Sequence, residues 1–493
     1  MSDDLPQGEH AAITIIGAGF SGIALAVELE RAGFDDVVLL ERQDGVGGVW
    51  RANAYPGCAC DVPSALYSYS WAPNPDWGRV YGTQPEILAY LERVAGERGV
   101  AARVRFGCEL TGADWDDDAR RWRLETTAGL RTTDVLLCAT GLFGDATIPD
   151  LPGLERFAGT TFHSLHWDHD HDLRGERVAV IGTGASAVQF VPAIQPEVAH
   201  LTVFQRTPPW IMPRLDHETS SLERLAMRRV PGLRRAARLG IYAFIEGLGL
   251  PAFVDRRFRH GYEAIGRLHL RRQVPDPELR RRLTPDYAIG CKRAILSDAY
   301  LPALTAPNVA VVTDPIAEVT EHAVRTADGT EHEVDAIVFG TGFVTPSRAD
   351  RVVRGRDGRS IIDRYDERPQ SHLGVAMAGF PNCFFTLGPF GAAGNQSAVY
   401  MIERQARYVA DALRTMRERG ADVVEVRPEA QEAYVAEAER RSEGTVWLEG
   451  GCRSYYQTPD GRNAGLWPGW SFEYARRVRR FEPDEYELTG AAG

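Results

Sequence analysis

A glycine-rich turn that joins an apolar strand to an apolar helix constrains the fold of this chain more than any other feature. Residues Ala11–Ile16 predict a strand, the turn follows at once, and the next residues predict a helix that ends at Gly33. A second apolar strand, Val37–Leu40, closes the unit on Glu41. The turn has the GxGxxG pattern, with glycines Gly17, Gly19 and Gly22. This order of elements predicts a parallel β-α-β unit at the start of an α/β fold.

The β-α-β unit predicts a binding site for a dinucleotide. Glycines let the backbone approach a pyrophosphate, which lies at the positive end of the following helix. Glu41 lies 24 residues after Gly17, where a carboxylate bonds both hydroxyls of a ribose. A turn without a ligand is the alternative, but strand, helix, second strand and terminal acid all occur in the expected order. We expect FAD or NAD at this site.

The same pattern returns in the middle of the chain with one difference. Arg177–Ile181 predicts a strand, and a helix and a second apolar strand follow the turn. The small residues of this turn are Gly182, Gly184 and Ala187, the last being an accepted substitute for the third glycine. The residue 24 positions after Gly182 is Arg206, where the first unit has an acid.

This difference predicts the second ligand. A carboxylate repels the 2′-phosphate of NADP, whereas the guanidinium of Arg206 binds it through paired hydrogen bonds. Thr207 and the more distant Lys292 are expected to add to the phosphate site. A solvated arginine at a strand end is the alternative reading of Arg206. The first site therefore suits FAD or NAD, and the second suits NADP.

Two nucleotide sites in one chain predict that electrons pass from NADPH to a bound flavin. Residues 134–141 and 335–342 support the pairing, because each has an acid, an apolar strand and a small-Thr-Gly turn. Strands of this kind carry the chain between the domains of two-nucleotide flavoproteins.

Between the two sites the chain resembles type I Baeyer–Villiger monooxygenases. Their FxGxxxHxxxW[P/D] signature is matched by Phe157, Gly159, His163, Trp167 and Asp168. A second family motif, GGxW…[YF]PG…D, is matched by Gly47, Gly48, Trp50, Tyr55, Pro56, Gly57 and Asp61. The resemblance runs from about residue 12 to the WPGWSFEY segment near the C-terminal end.

The resemblance implies two Rossmann-like dinucleotide-binding domains with a helical insertion in the second. The expected FAD-binding domain comprises residues 1–148 and 378–493, and the NADP-binding domain comprises 149–214 and 291–377. Residues 215–290 are expected to form a helical insert that shapes the substrate pocket. The implied reaction is NADPH-dependent insertion of one oxygen atom from O2 next to a ketone carbonyl, through a peroxide at the flavin C4a carbon. Its product is an ester or a lactone.

The resemblance also implies roles for individual residues. Arg293 matches the active-site arginine, and Asp61 matches the acid that holds it, so these two residues are expected to touch although they lie 232 positions apart. Gly48 and Trp50 are expected to cover the flavin. Tyr455 stands where many relatives have a tryptophan that contacts NADP, and a phenol can also reach a ribose hydroxyl.

Three other functions remain open at this stage. A flavin-containing monooxygenase that hydroxylates nitrogen or oxidises sulfur uses the same two cofactors. A disulfide or quinone reductase has the same scaffold, but no CxxC pair is present. A nucleotide-binding redox sensor is the non-enzymatic alternative.

Composition narrows the possible partners and the compartment. A net charge of −12 without a basic block argues against nucleic-acid binding. The seven scattered cysteines are expected to be reduced thiols of a cytoplasmic protein. The His- and Asp-rich stretch 163–172 is expected to bind no functional metal. The most apolar stretch, Leu239–Val254, contains Glu246 and Pro251 and is expected to be a helix inside a soluble domain, without integral membrane contact.

Overall fold

The computed structural model describes residues 8–345 and 347–490. The strands are β1 Glu9–Ile16, β2 Val37–Glu41, β3 Val104–Phe106, β4 Leu110–Asp116, β5 Arg121–Thr126, β6 Gly129–Cys138, β7 Thr160–His163, β8 Arg177–Ile181, β9 His200–Phe204, β10 Ile211–Met212, β11 Ile295–Leu296, β12 Val309–Val312, β13 Ile316–Val319, β14 Ala323–Thr326, β15 Glu331–Glu333, β16 Ala336–Phe339, β17 Val353–Arg354, β18 Cys383–Phe385, β19 Ala421–Val426 and β20 Tyr486–Gly490.

The α-helices lie around and between these strands. They are α1 Phe20–Arg31, α2 Val49–Ala52, α3 Gln84–Glu97, α4 Ala185–Ile194, α5 Ser221–Arg229, α6 Leu233–Val254, α7 Arg256–Gln273, α8 Pro277–Arg282, α9 Tyr300–Ala303, α10 Ile361–Glu367, α11 Ala398–Glu418, α12 Pro428–Ser442, α13 Val446–Glu449 and α14 Ser471–Arg477.

The first sheet contains the first glycine turn. Its strand order is β17-β4-β5-β6-β1-β2-β3, and β18 also pairs with β6. Strands β1, β2, β3, β6 and β18 run parallel, whereas β5 is antiparallel to both β4 and β6. Helix α1 is buried along most of its length because its small and aliphatic residues pack between β1 and α11.

The second sheet contains the second glycine turn. Its five strands are all parallel, in the order β12-β9-β8-β16-β7. Strands β8 and β16 lie next to each other at its centre and are almost wholly buried, which explains their unbroken apolar sequences. The predicted fold class, α/β with two Rossmann-like domains, is confirmed.

Residues 215–290 contain four helices, α5 to α8. Helix α6 runs without interruption through Glu246 and Pro251, and it is the one described helix long and apolar enough to cross a membrane by length and composition. Only 17% of the most apolar 18-residue stretch of this helix is buried. The expectation that this helix lies inside the domain is therefore wrong for most of its length. Its apolar residues exceed what the neighbouring elements cover.

The exact limits of the domains stay a prediction. Strand β17 lies within the stretch 291–377 that was assigned to the second nucleotide domain, yet it pairs with β4 of the first sheet. This pairing favours a second boundary before Val353 rather than at residue 378.

The prediction that all seven cysteines are reduced is contradicted. Cys291 and Cys452 form a disulfide, although 161 residues separate them. The other five cysteines are free and buried. No spacing rule connects residues so far apart, and only the fold brings their Cα atoms within 6.1 Å. The bond ties the segment before Arg293 to the segment before Tyr455.

Candidate functional site

A single large cavity receives residues from both glycine turns and from the helical insert. Its volume is about 2450 Å³. Sites for one small molecule usually measure about 300–1,000 Å³, so this cavity has room for several ligands. The predicted site residues that line it are Gly17, Gly19, Glu41, Gly48, Trp50, Asp61, Gly182, Gly184, Arg206, Thr207, Lys292, Arg293 and Tyr455.

The first glycine turn lies tightly against the end of β6, the strand that pairs with β1. Gly17 has a φ of +100°, and a Cβ there would lie 2.7 Å from the carbonyl oxygen of Ala139. A Cβ on Gly22 would lie 1.9 Å from the carbonyl oxygen of Gly17, so both positions require glycine. Gly22 lies behind the cavity wall, where it allows helix α1 to begin close to the turn.

Glu41 is buried at the end of β2 and stabilises the turn through a hydrogen bond to its backbone. One carboxylate oxygen accepts a hydrogen bond from the backbone N–H of Ala18 at 2.8 Å, and the other accepts one from Gln43 at 2.9 Å. Each oxygen keeps a second lone pair, and Glu41 lines the cavity. The same carboxylate can therefore hold the turn and accept bonds from ribose hydroxyls.

Gly48 and Trp50 form a second wall beside the first turn. Gly48 has a φ of +55°, and a Cβ there would lie 3.1 Å from the Cα of Gly19. The absence of a side chain thus lets the two loops touch. The indole N–H of Trp50 donates a hydrogen bond to the hydroxyl of Tyr67 at 3.0 Å, which fixes the ring at the cavity wall.

The second turn repeats this geometry. Gly182 has a φ of +105°, and a Cβ there would lie 2.5 Å from the carbonyl oxygen of Gly340. Gly340 follows β16 as Ala139 follows β6, so the repeated segments supply equivalent oxygens. Ala187 is fully buried, and it limits Gly340 in turn, since a Cβ on Gly340 would lie 3.0 Å from that of Ala187.

Cationic groups converge beside the second turn. Burial and the nearby charge of Arg206 lower the pKa of Lys292, although Asp286 partly opposes this effect. Within residues 8–345 and 347–490 neither Arg206 nor Lys292 forms an ion pair. Two like charges that line one cavity without an ion-pair partner favour an anion beside them. The hydroxyl of Thr183 donates to the carbonyl of Thr207 at 3.2 Å and holds this loop.

Arg293 and Asp61 form the contact that the sequence predicts. One terminal nitrogen of Arg293 lies 2.6 and 2.7 Å from the two oxygens of Asp61, and Nε lies 2.9 Å from one of them. The carboxylate of Asp61 raises the pKa of Arg293 well above its usual value. The Arg293 side chain is 41% exposed, and what it faces is the cavity. The pair therefore presents a permanent cation to any ligand held there.

Tyr455 lies three residues after Cys452, which the disulfide joins to Cys291. Its side chain is about half exposed, lines the cavity, and donates to or accepts from Tyr456, with 3.1 Å between the two oxygens. Tyr456 is buried. Next to them, the hydroxyl of Ser454 donates to the carbonyl of Cys291 at 2.9 Å, a second link to the Arg293 segment.

Gln189 is a site residue that sequence reasoning missed. It lies on α4, the helix that follows the second glycine turn. Its amide oxygen accepts a hydrogen bond from the hydroxyl of Tyr55 at 3.0 Å, and its amide nitrogen donates one to the carbonyl of Ala59 at 2.8 Å. Gly57 allows the contact, because a Cβ there would lie 2.7 Å from the carbonyl oxygen of Gln189. The YPG motif pointed to one half of this junction, and nothing in the sequence pointed to the glutamine.

The residues of the long signature pack at the start of the second sheet. The ring of Trp167 lies 5.0 Å from that of Phe162 and 5.4 Å from that of Phe190 on α4. His163 ends β7, and its Nδ1 accepts from the backbone N–H of Leu165 at 3.0 Å. Burial lowers the pKa of His163 to about 4, which keeps the ring neutral. The signature thus marks a packing unit.

The stretch rich in His and Asp has ordinary polar contacts. His171 lies 3.0 Å from Glu176 and 3.3 Å from the hydroxyl of Thr160. In the part of the chain that the structure describes, no group of three or more His, Cys, Asp or Glu is arranged to hold a metal ion.

Known sequences resemble this chain over nearly its whole length. A model of the flavin-binding monooxygenase-like family matches residues 10–240. A Baeyer–Villiger monooxygenase of Streptomyces coelicolor is 46% identical over 98% of this chain and 94% of its own. A Baeyer–Villiger monooxygenase of Pseudomonas aeruginosa is 44% identical over 97% of this chain and 92% of its own.

Solved structures agree with these sequences. A cyclohexanone monooxygenase from Rhodococcus sp. Phi1 bound to NADP+ superposes with a TM-score of 0.89 at 30% identity, covering 98% of this chain and all of that one. A closed crystal structure of cyclohexanone monooxygenase gives a TM-score of 0.88 at 29% identity, with the same coverage.

Proposed function

Because the chain belongs to the Baeyer–Villiger monooxygenases, we propose that Arg293 and Asp61 are the centre of its reaction. The enzyme is an FAD-dependent monooxygenase that uses NADPH and O2 to insert one oxygen atom next to a ketone carbonyl. The single observation that carries our assignment of the residues is the bidentate Arg293–Asp61 pair, which faces the cavity shared by both glycine turns.

The residues of the first turn fit FAD. We assign the pyrophosphate to the N-terminus of α1 and a ribose to the free lone pairs of Glu41. The FAD-binding residues of this proposal are Gly17, Gly19, Gly22, Glu41, Gly48 and Trp50. When bound, the flavin is reduced by NADPH and activates O2.

The residues of the second turn fit NADPH. The unpaired cations Arg206 and Lys292 suit a 2′-phosphate, which carries up to two negative charges. The NADPH-binding residues of this proposal are Gly182, Gly184, Ala187, Arg206, Thr207, Lys292 and Tyr455.

We assign the catalytic charge to Arg293. Negative charge develops on oxygen when the carbonyl of a ketone is attacked, and a preorganised cation stabilises it. An arginine stays protonated at neutral pH, so it neither gives a proton to the reacting group nor takes one from it. Asp61 is the positioning residue, because its two oxygens fix the plane of the guanidinium.

Replacement of the arginine tests this assignment. We expect Arg293→Ala to lower ketone turnover by roughly a hundredfold or more, with flavin content unchanged, measured as ester or lactone formed per bound flavin. Arg293→Lys is expected to restore part of the rate. Arg453→Ala is the matched control, since Arg453 also lines the cavity.

Two results would count against the proposal. Turnover of Arg293→Ala within tenfold of the wild type would remove the arginine from catalysis. A wild-type enzyme that oxidises amines or thioethers and leaves a panel of ketones unchanged would instead support the nitrogen- or sulfur-oxidising function.

We further propose that the enzyme works in the cytoplasm, without nucleic acid and without spanning a membrane. Helix α6 is bonded to the rest of the protein, because Glu246 accepts hydrogen bonds from the hydroxyl and the backbone N–H of Ser471. Arg238 donates to the carbonyls of Ala65, Leu66 and Ser68. These bonds support the proposal, because moving Glu246 and Arg238 from the protein into lipid would cost free energy.

A further inference from the structure

Helix α7 has the reverse of the usual amphipathic pattern. Its buried face carries Arg259, Glu263 and His269 beside Leu270, whereas its exposed face carries Phe258, Ile265 and Leu268, of which the first two line the cavity. These three apolar side chains are about half exposed and follow one stripe, at positions i, i+7 and i+10. A helix in contact with water normally turns such a stripe toward the core.

Helix α6 has the same reversal. Its buried residues include Glu246, which is bonded to Ser471, while Phe244 is 66% exposed and Leu248 is 40% exposed. Single exposed apolar residues are common, but several on one face of each of two packed helices mark an interaction surface.

Unpaired positive charge surrounds these apolar side chains. Residues 221–273 contain twelve arginines and four acids, within a chain whose net charge is −12. In the described ranges, several exposed arginines here form no ion pair, although acids are abundant elsewhere. They are Arg229, Arg234, Arg235, Arg256, Arg257, Arg271 and Arg272.

We propose that this face of α6 and α7 docks on an anionic lipid surface. The docking face consists of Phe244, Leu248, Phe258, Ile265 and Leu268, together with the exposed arginines of the two helices. Shallow insertion of apolar side chains and attraction of arginine to anionic headgroups are the two forces that hold an interfacial helix.

The arrangement along α7 fits a lipid interface in detail. The stripe from Phe258 to Leu268 extends about 15 Å along the helix axis, which is suited to lying in the interface plane. Arg257 precedes the stripe, and Arg271 and Arg272 follow it. Their long side chains can reach headgroups while their methylene groups stay with the apolar residues.

The docking face shares four residues with the lining of the cavity. Phe244, Leu248, Phe258 and Ile265 are partly exposed and also line it. A docked enzyme would therefore open its cavity toward the bilayer. Given the proposed ketone oxidation, this points to an apolar ketone that partitions into lipid and enters the cavity directly from there.

Vesicle flotation tests the docking without any turnover. The holoenzyme is mixed with phosphatidylcholine vesicles, with and without anionic phosphatidylglycerol, at low and at high salt. We expect binding only to the anionic vesicles, and release by salt because screening weakens exposed charges. Because flotation measures binding and not turnover, a failure to bind vesicles would leave the proposed ketone oxidation unaffected.

Variants away from the cavity lining locate the contact. At about 1 kcal/mol per arginine, Arg271→Ser with Arg272→Ser is expected to lower the partition coefficient roughly thirtyfold. Leu268→Ser is expected to lower it by about fivefold. The matched controls, Arg479→Ser with Arg480→Ser and Leu130→Ser, change exposed residues outside the insert and are expected to leave binding unchanged.

Three results of the vesicle experiments would overturn the proposal. These are equal binding to neutral and anionic vesicles, no binding to either, and equal losses in the Arg271/Arg272 and Arg479/Arg480 variants. Self-association of the wild type that Leu268→Ser abolishes would also overturn it, since the face would then contact a second copy of the chain.

Discussion

The two glycine turns have the same backbone and opposite charge. In each, the first glycine lies against the carbonyl oxygen that follows a neighbouring strand, Ala139 for Gly17 and Gly340 for Gly182. The residue at the end of the second strand differs. Glu41 is buried and bonded to backbone N–H groups, whereas Arg206 is exposed to the cavity and forms no ion pair among the described residues.

This comparison separates two tasks. The turn selects for a pyrophosphate, because only a small residue lets the backbone approach it. The residue at the strand end then selects among dinucleotides by its charge. Glu41 also holds its own turn through the N–H of Ala18.

The largest effect is expected from filling each turn. Gly17→Ala places a Cβ 2.7 Å from a carbonyl oxygen at a φ of +100°, and Gly182→Ala places one at 2.5 Å. We expect Gly17→Ala to weaken FAD binding on the order of a hundredfold, measured as flavin absorbance per chain after gel filtration. Gly182→Ala is expected to retain flavin and to raise the KM for NADPH by a similar factor.

Gly96→Ala is the control for both, because a Cβ there meets nothing within 4 Å. Equal loss of flavin in Gly17→Ala and Gly182→Ala would show that the two sites are not independent.

A smaller effect is expected from removing the charge that distinguishes the sites. Arg206→Ala loses charge-assisted bonds to a 2′-phosphate worth about 2 kcal/mol. We expect kcat/KM for NADPH to fall about thirtyfold and kcat/KM for NADH to stay the same. An equal fall for both coenzymes would mean that Arg206 stabilises the loop and does not read the phosphate. Arg479→Ala serves as the control.

The smallest effect concerns pH. Lys292 is the single lysine beside 55 arginines, and burial together with Arg206 lowers its pKa. An amine is charged below its pKa, so its charge is lost as pH rises, and earlier than for a free lysine. We expect the KM for NADPH to rise by up to about tenfold at alkaline pH, and the KM for NADH to stay constant.

Lys292→Arg is the decisive variant for this prediction, because arginine keeps its charge over the same range. A KM for NADPH that still rises with pH in Lys292→Arg would assign the titration to another group.

Several parts of the fold followed from local patterns. The strand at residues 177–181 was located to the residue, because a buried parallel strand has an unbroken apolar run. The Arg293–Asp61 contact followed from family resemblance, and no local pattern connects residues 232 positions apart. The role of Gln189 in joining the two nucleotide folds was not predictable, since an amide on a helix has no signature until its partners are placed against it.

The sequence by itself determined the two nucleotide folds, the opposite charges at their strand ends and the family, because these depend on short segments with strong local rules. Tertiary structure alone decided the Cys291–Cys452 bond, the outward apolar faces of α6 and α7, and the shared cavity. Each of these depends on which distant segments pack against one another. The free energy of burial is set by the apolar area that this packing removes from water, and not by the neighbouring residues in the chain.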